Sequence, residues 1–96
     1  MAAFNEFIQQ LKENINLADL IGSYVPLKKH GRYYMASCPF HGPERTPSFA
    51  VSPDKGFYYC FGCHESGDAI TFVEKMDHLT FMEAVRRLAD YAHMDM

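Results

Sequence analysis

The sequence predicts an α+β fold: a zinc ribbon whose small antiparallel β-sheet is flanked by N- and C-terminal helices. Three observations carry this. Two ligand pairs, Cys38-Pro39-Phe40-His41 and Cys60-Phe61-Gly62-Cys63, each leave two residues between donors and lie a hairpin apart. Between Ser23 and Gly67 the chain is rich in aromatic, Pro and Gly residues and loses helical periodicity. On either side, apolar residues recur at helical spacing. The 96 residues read as a single zinc-binding domain, helical over 1–22, a ribbon sheet over 23–67 and helical again over 68–93.

Taken in order, Phe4, Ile8, Leu11 and Ile15 predict an amphipathic helix over about 5–14. Asn16 is suited to cap a second helical turn through Leu17, Leu20 and Ile21, which Gly22 ends. Four strands are expected, Val25–Lys28, Tyr33–Ala36, Ser48–Val51 and Phe57–Cys60, separated by the turn-like stretches 30–31, 38–47 and 52–56. Asp68 is placed to cap a helix carrying Ile70, Phe72, Val73 and Met76. Thr80 with Glu83 three residues on forms a capping box for a last helix, whose apolar face is Phe81, Ala84, Val85, Leu88 and Ala92. The final three residues are expected to fray.

Composition sets the class. With 48% hydrophobic and 22% charged residues the chain is globular. No apolar run nears the ~20 residues that span a bilayer, and the first residues carry no signal-peptide pattern, which points to the cytoplasm and no membrane. Three cysteines do not complete a disulfide framework, and reduced thiols suit metal binding. The net charge of -3 is uneven: Lys28, Lys29, Arg32, Arg45 and Lys55 make the middle basic, while both ends are acidic.

The ligand set read from spacing is Cys38, His41, Cys60 and Cys63 around one Zn2+. A two-residue gap lets one turn aim two donors at a single ion. Gly62 supplies the positive φ such a turn often needs, and turn amides can donate to the thiolates. Four protein ligands leave no position for an activated water, so the zinc is structural, without a catalytic role. His64, beside Cys63, competes with His41; His41 is preferred because it repeats the spacing on the opposite knuckle. A redox reading of Cys60 and Cys63, or a sensor that loses zinc on oxidation, also stands.

A longer string of residues then carries a resemblance. Tyr24-Val25-Pro26-Leu27-Lys28-Lys29, Gly31-Arg32-Tyr33-Tyr34, Cys38-Pro39-Phe40-His41, Thr46-Pro47-Ser48-Phe49, Val51-Ser52-Pro53-Asp54-Lys55, Tyr59-Cys60-Phe61-Gly62-Cys63 and Gly67-Asp68-Ala69 follow one another in order. From about Ile8 to Tyr91 the chain resembles the N-terminal zinc-binding domain of bacterial DNA primase. Departures are small: His64 stands where many relatives carry Gly, and Arg45 where Lys is common. The resemblance implies a ribbon that binds single-stranded template DNA and helps choose the start site for RNA primer synthesis. It implies that catalysis, with Mg2+, belongs to a TOPRIM RNA polymerase domain absent from this segment, which alone is inactive. Implied partners are that polymerase domain, in cis or in trans, and the replicative helicase through a further C-terminal domain, also absent here.

The residues expected to touch nucleic acid are the cations Lys28, Lys29, Arg32, Arg45 and Lys55 and the rings of Tyr34 and Tyr58, since cations follow phosphates and flat rings stack on unpaired bases. Strand alternation puts Tyr33 with Met35 opposite Tyr34 with Ala36, and Phe57 with Tyr59 opposite Tyr58 with Cys60, so about half of these rings must be buried. Phe40 and Phe61 are read as shields for the zinc, and His30, His78 and His93 as surface residues. A second class of function is an interaction module docking on the polymerase domain or another replication protein.

Overall fold

The computed structural model describes residues 2–41 and 47–95. Helix α1 (Ala2–Glu13) begins earlier than the apolar spacing predicts. It buries Leu11 completely and, just past its end, Ile15, while Phe7 and Ile8 pack on the same core. Asn16 caps α2 (Leu17–Gly22) as expected, its side chain accepting from the Asp19 amide at 3.0 Å. That short helix buries Leu17, Ala18, Leu20 and Ile21, so packing rather than length holds it.

Five strands follow in meander order, each antiparallel to the next: β1 (Lys28–His30), β2 (Tyr33–Ala36), β3 (Phe49–Ser52), β4 (Phe57–Cys60) and β5 (Ser66–Gly67). Two strands fall on the expected residues. β3 moves by one residue, and β1 starts three residues later and ends two residues later than expected. Pro26 has no amide to give a ladder, so pairing starts only at Lys28, opposite Met35. The two-residue turn Gly31-Arg32 then fixes His30 against Tyr33, and Gly31 has the positive φ (64°) that marks the first position of a type II′ hairpin. β5 is not among the four strands the sequence predicts. It has no apolar alternation and exists because the chain returns from the second knuckle alongside Tyr58 and Tyr59.

Asp68 and Thr80 cap the last two helices, α3 (Ala69–Asp77) and α4 (Phe81–Tyr91), as the sequence predicts. Thr80 Oγ1 accepts from the Glu83 amide at 3.2 Å, and the Glu83 carboxylate accepts from the Thr80 amide at 2.8 Å, completing the capping box. α3 stops at His78, which takes the left-handed conformation (φ 56°) more often given to Gly. Near the end of the chain Met94 packs on the core instead of fraying, its amide donating to the Ala89 carbonyl at 2.8 Å.

One face of the sheet builds the core. Ala36, Phe49, Val51, Tyr58 and Cys60 point inward against α2 and α3, with Tyr34 packed at their margin. α4 closes the far side through Ala84, Val85, Leu88 and Ala89. Phe40, Phe49, Tyr58 and Phe72 form one aromatic cluster with centroid separations of 5.3–6.0 Å.

Asp68 ties the two helical ends together, accepting from the Thr71 amide at 3.0 Å and pairing with Lys12 Nζ at 3.2 Å. Burial works against its charge, but the Thr71 amide and the Lys12 ammonium outweigh it and hold the carboxyl below its usual range. A depressed folded-state pKa contributes stability above the unfolded value and loses it as pH falls through the folded one. Asp68→Ala is therefore expected to cost about 1–2 kcal/mol at neutral pH in urea denaturation. The gap between the two proteins should close in acid below the ordinary carboxylate range.

Candidate metal centre and the outer face of the sheet

The two knuckles grow out of β2 and β4, the strands on either side of β3. Alternation along β2 carries inward-facing Ala36 to inward-facing Cys38, and Cys60 ends β4 directly opposite Phe49. The Cys60 amide donates to the Glu65 carbonyl and the His64 amide to the Cys60 carbonyl, both at 2.8 Å, so the second knuckle is a closed turn. The Phe61 amide donates to the Ser48 carbonyl, also at 2.8 Å, anchoring that turn to the start of β3. Gly62 is needed here for space. Its φ is not positive; a Cβ there would lie 3.0 Å from His41 Cε1 and 3.1 Å from Ser48 Oγ. The left-handed residue is instead His64, at φ 64°.

Cys38, His41, Cys60 and Cys63 bring their ligand atoms within 4.8 Å of one another. Cys38 Sγ lies 3.8 Å from Cys63 Sγ, and Cys60 Sγ lies 3.7 Å from His41 Nδ1. A tetrahedral zinc ~2.3 Å from sulfur and ~2.0 Å from nitrogen has edges of about 3.8 Å between sulfurs and about 3.5 Å from sulfur to nitrogen, so the donors are spaced for it. The Phe40 amide donates to Cys38 Sγ at 3.4 Å, and Ser48 Oγ sits 3.4 Å from Cys60 Sγ. His64 stands outside the cluster and hydrogen-bonds the Tyr59 hydroxyl.

Charge explains why this cluster calls for a cation. Burial pushes the Cys38 thiol up to about 12. Burial also acts upward on Cys60, but the Ser48 hydroxyl and the Cys63 and Gly62 amides outweigh it and hold that thiol at about 7. Three neighbouring thiols cannot all ionise at neutral pH without a positive ion between them, and a coordinated thiol is deprotonated outright.

The opposite face of the sheet is open. Register puts Tyr33 and Met35 of β2, Ala50 and Ser52 of β3, and Phe57 and Tyr59 of β4 on it. Small residues on the central strand form a floor between aromatic walls, leaving a concave, mainly apolar site of about 430 Å³ that Phe61 and Lys55 complete. Tyr33 is 47% exposed, Phe57 42% and Phe61 65%. Phe61 therefore faces solvent, whereas Phe40, its counterpart in the first knuckle, packs into the core beneath Lys75.

This changes the expected nucleic-acid contacts. Tyr58 is fully buried and cannot reach a strand of DNA. Tyr34, paired with Val51, faces the core side as well. The reason lies in the knuckle: Cys60 must point inward, and Tyr58, two residues earlier, must follow it. Among the cations, Lys28, Lys29, Arg32 and Lys55 are exposed. Lys28 pairs with Met35 and shares the open face, whereas Lys29 pairs with Tyr34 and belongs to the other side. Arg45 lies outside the described residues. The Tyr58 hydroxyl is buried with no hydrogen-bond partner among the described residues. Tyr58→Phe should therefore hold stability level or raise it by about 1 kcal/mol, read by thermal or urea denaturation.

Three sulfurs and one imidazole, presented by two knuckles at one end of a small antiparallel sheet, define a zinc ribbon with a closed centre. The chain belongs to the CHC2 zinc finger family, whose model matches residues 3–96. It is 49% identical over 90 residues to the DNA primase of Listeria monocytogenes, covering 94% of this chain and 14% of the relative. It is 52% identical over 89 residues to the DNA primase of Halalkalibacterium halodurans, covering 93% of this chain and 15% of the relative. The crystal structure of the zinc-binding and RNA polymerase domains of Aquifex aeolicus primase superposes with a TM-score of 0.87 at 41% identity, over 94% of this chain and 22% of that one. The chain thus spans about one seventh of the length of these curated relatives.

Proposed function

We propose that this chain is the template-binding zinc domain of a DNA primase. Cys38, His41, Cys60 and Cys63 hold one structural zinc, which supplies no chemistry beyond fixing the two knuckles and hence the sheet. The open face then binds single-stranded DNA and helps set where the primer begins. What carries this reading is the open face itself, with exposed rings around a shallow apolar floor and Lys28, Arg32 and Lys55 at its margins. Rings stack on unpaired bases whatever their sequence, and cations follow the phosphates. Nucleotide joining, with Mg2+, belongs to a polymerase domain outside this segment, acting in cis or in trans; helicase contact belongs to a further domain, and the setting is the cytoplasm.

Binding should be weak and salt-sensitive. Each phosphate neutralised on a single strand contributes about −0.7 to the slope of log affinity against log salt, so three cations give about −2. Affinity for a labelled oligonucleotide should fall roughly fifteen- to twentyfold between 50 and 200 mM salt. Lys28→Ala, Arg32→Ala and Lys55→Ala should each flatten the slope. Binding indifferent to salt would count against this surface.

A second reading, docking on the polymerase domain, is favoured by Phe81, Met82 and Tyr91, which α4 leaves 41–45% exposed. Arg87 is engaged with Asp77 at 2.7 Å and Glu83 closes a capping box, so both serve the fold.

A further inference from the structure

His64 is not among the convergent ligand atoms, yet it is held in a left-handed backbone conformation that glycine adopts more freely. The outer face indicates what the side chain is for. His64 Nδ1 lies 2.7 Å from the Tyr59 hydroxyl, and the two rings meet edge to face at 6.1 Å. Tyr59 in turn packs edge to face on Phe61 at 5.0 Å. Both Tyr59 and Phe61 line the open aromatic site, where Ala50, directly across from Tyr59, leaves the ring no bulky neighbour on the central strand. Without His64, the ring would have Phe61, itself 65% exposed, as its aromatic support.

We propose that His64 is a positioning residue for this face. Its hydrogen bond locks the Tyr59 ring in one orientation against Phe61, so the wall on which an unpaired base stacks is formed before the strand arrives. This inference rests on the single-stranded DNA reading above and adds the group that preorganises it. The gain is entropic: a ring already fixed loses no rotamer freedom on binding, an advantage of about two- to tenfold in affinity.

The test uses the zinc-loaded chain and a fluorescent oligothymidylate. His64→Gly keeps the left-handed turn and deletes the imidazole; Tyr59→Phe keeps the ring and deletes the hydroxyl. Each should weaken binding about two- to tenfold. The double variant should be no weaker than either single one, because both break the same link. Zinc content should stay at one equivalent and the melting temperature of His64→Gly should not fall, which separates positioning from a structural role. Side-chain couplings by NMR should show one χ1 rotamer for Tyr59 in the parent and several in His64→Gly. Unchanged affinity in His64→Gly, additive losses in the double variant, or a Tyr59 ring still fixed without His64 would each overturn the proposal. If Phe57→Ala and Phe61→Ala weaken binding while His64→Gly does not, only this inference falls. If none of the three matters, the DNA-binding reading falls with it.

Discussion

Cys38→Ser should abolish zinc binding and the cooperative unfolding transition together. A structural zinc binds with an apparent free energy of roughly 10–16 kcal/mol at neutral pH, and that is folding free energy. A domain of this size has a total stability of about 5–15 kcal/mol, so losing the ion exceeds what the rest can spare. Geometry makes the loss global. Cys38 and Cys60 are members of the buried core, continuous with Phe49, Tyr58 and Phe72. If the knuckles open, α2 and α3 lose the wall they pack on, and helices this short are marginal alone. Metal analysis should fall from one equivalent to none, and circular dichroism should show lost helix as well as lost sheet. A chelator should do the same to the parent protein. Acid acts in the same direction. Zinc needs deprotonated thiols, so its affinity rises with pH and falls in acid; the buried Cys38 thiol, pushed up to about 12, ionises at neutral pH only against the ion. A Cys38→Ser protein that keeps one zinc and melts as the parent does would overturn this account.

How much of this could be read beforehand differs from element to element. The convergence of Cys38, His41, Cys60 and Cys63 was legible because a two-residue gap is itself a geometric statement about one turn. The starts of α2, α3 and α4 were legible because Asn16, Asp68 and Thr80 are side chains that satisfy helix amides. The sheet was harder. Its strands could be found, but alternation alone leaves open which face turns inward. The sequence reading counts Tyr34 and Tyr58 among the DNA contacts, but both face the core. The signal was present: Cys60 must face the metal, so Tyr58 faces the same way and Phe57 and Tyr59 face out. Phe40 and Phe61 occupy similar places in their knuckles, yet only the first knuckle has Phe72 and Lys75 of α3 beside its ring. That difference is tertiary and absent from local sequence. β5 was hidden for the same reason, as a two-residue strand made by the return of a knuckle.

Removing the two exposed phenylalanines of that face should have the second largest effect. Base stacking on an aromatic side chain contributes ~1–3 kcal/mol per base. Phe57→Ala with Phe61→Ala should therefore weaken binding of a single strand by about 2 kcal/mol or more, roughly thirtyfold. The fold should tolerate the change. Phe57 and Phe61 are 42% and 65% exposed, whereas truncating the fully buried Phe49 or Phe72 should cost about 3–5 kcal/mol of stability. The salt dependence then separates the two halves of the surface. Rings contact bases and release no counterions, so the double variant should bind more weakly at every salt concentration with an unchanged slope. Loss of Lys28, Arg32 or Lys55 should flatten the slope instead. Measured on one oligonucleotide series, these two signatures show whether bases stack on the aromatic walls while phosphates run along the margin of the face. An affinity unchanged by removing both rings would mean that any strand bound to this chain lies elsewhere.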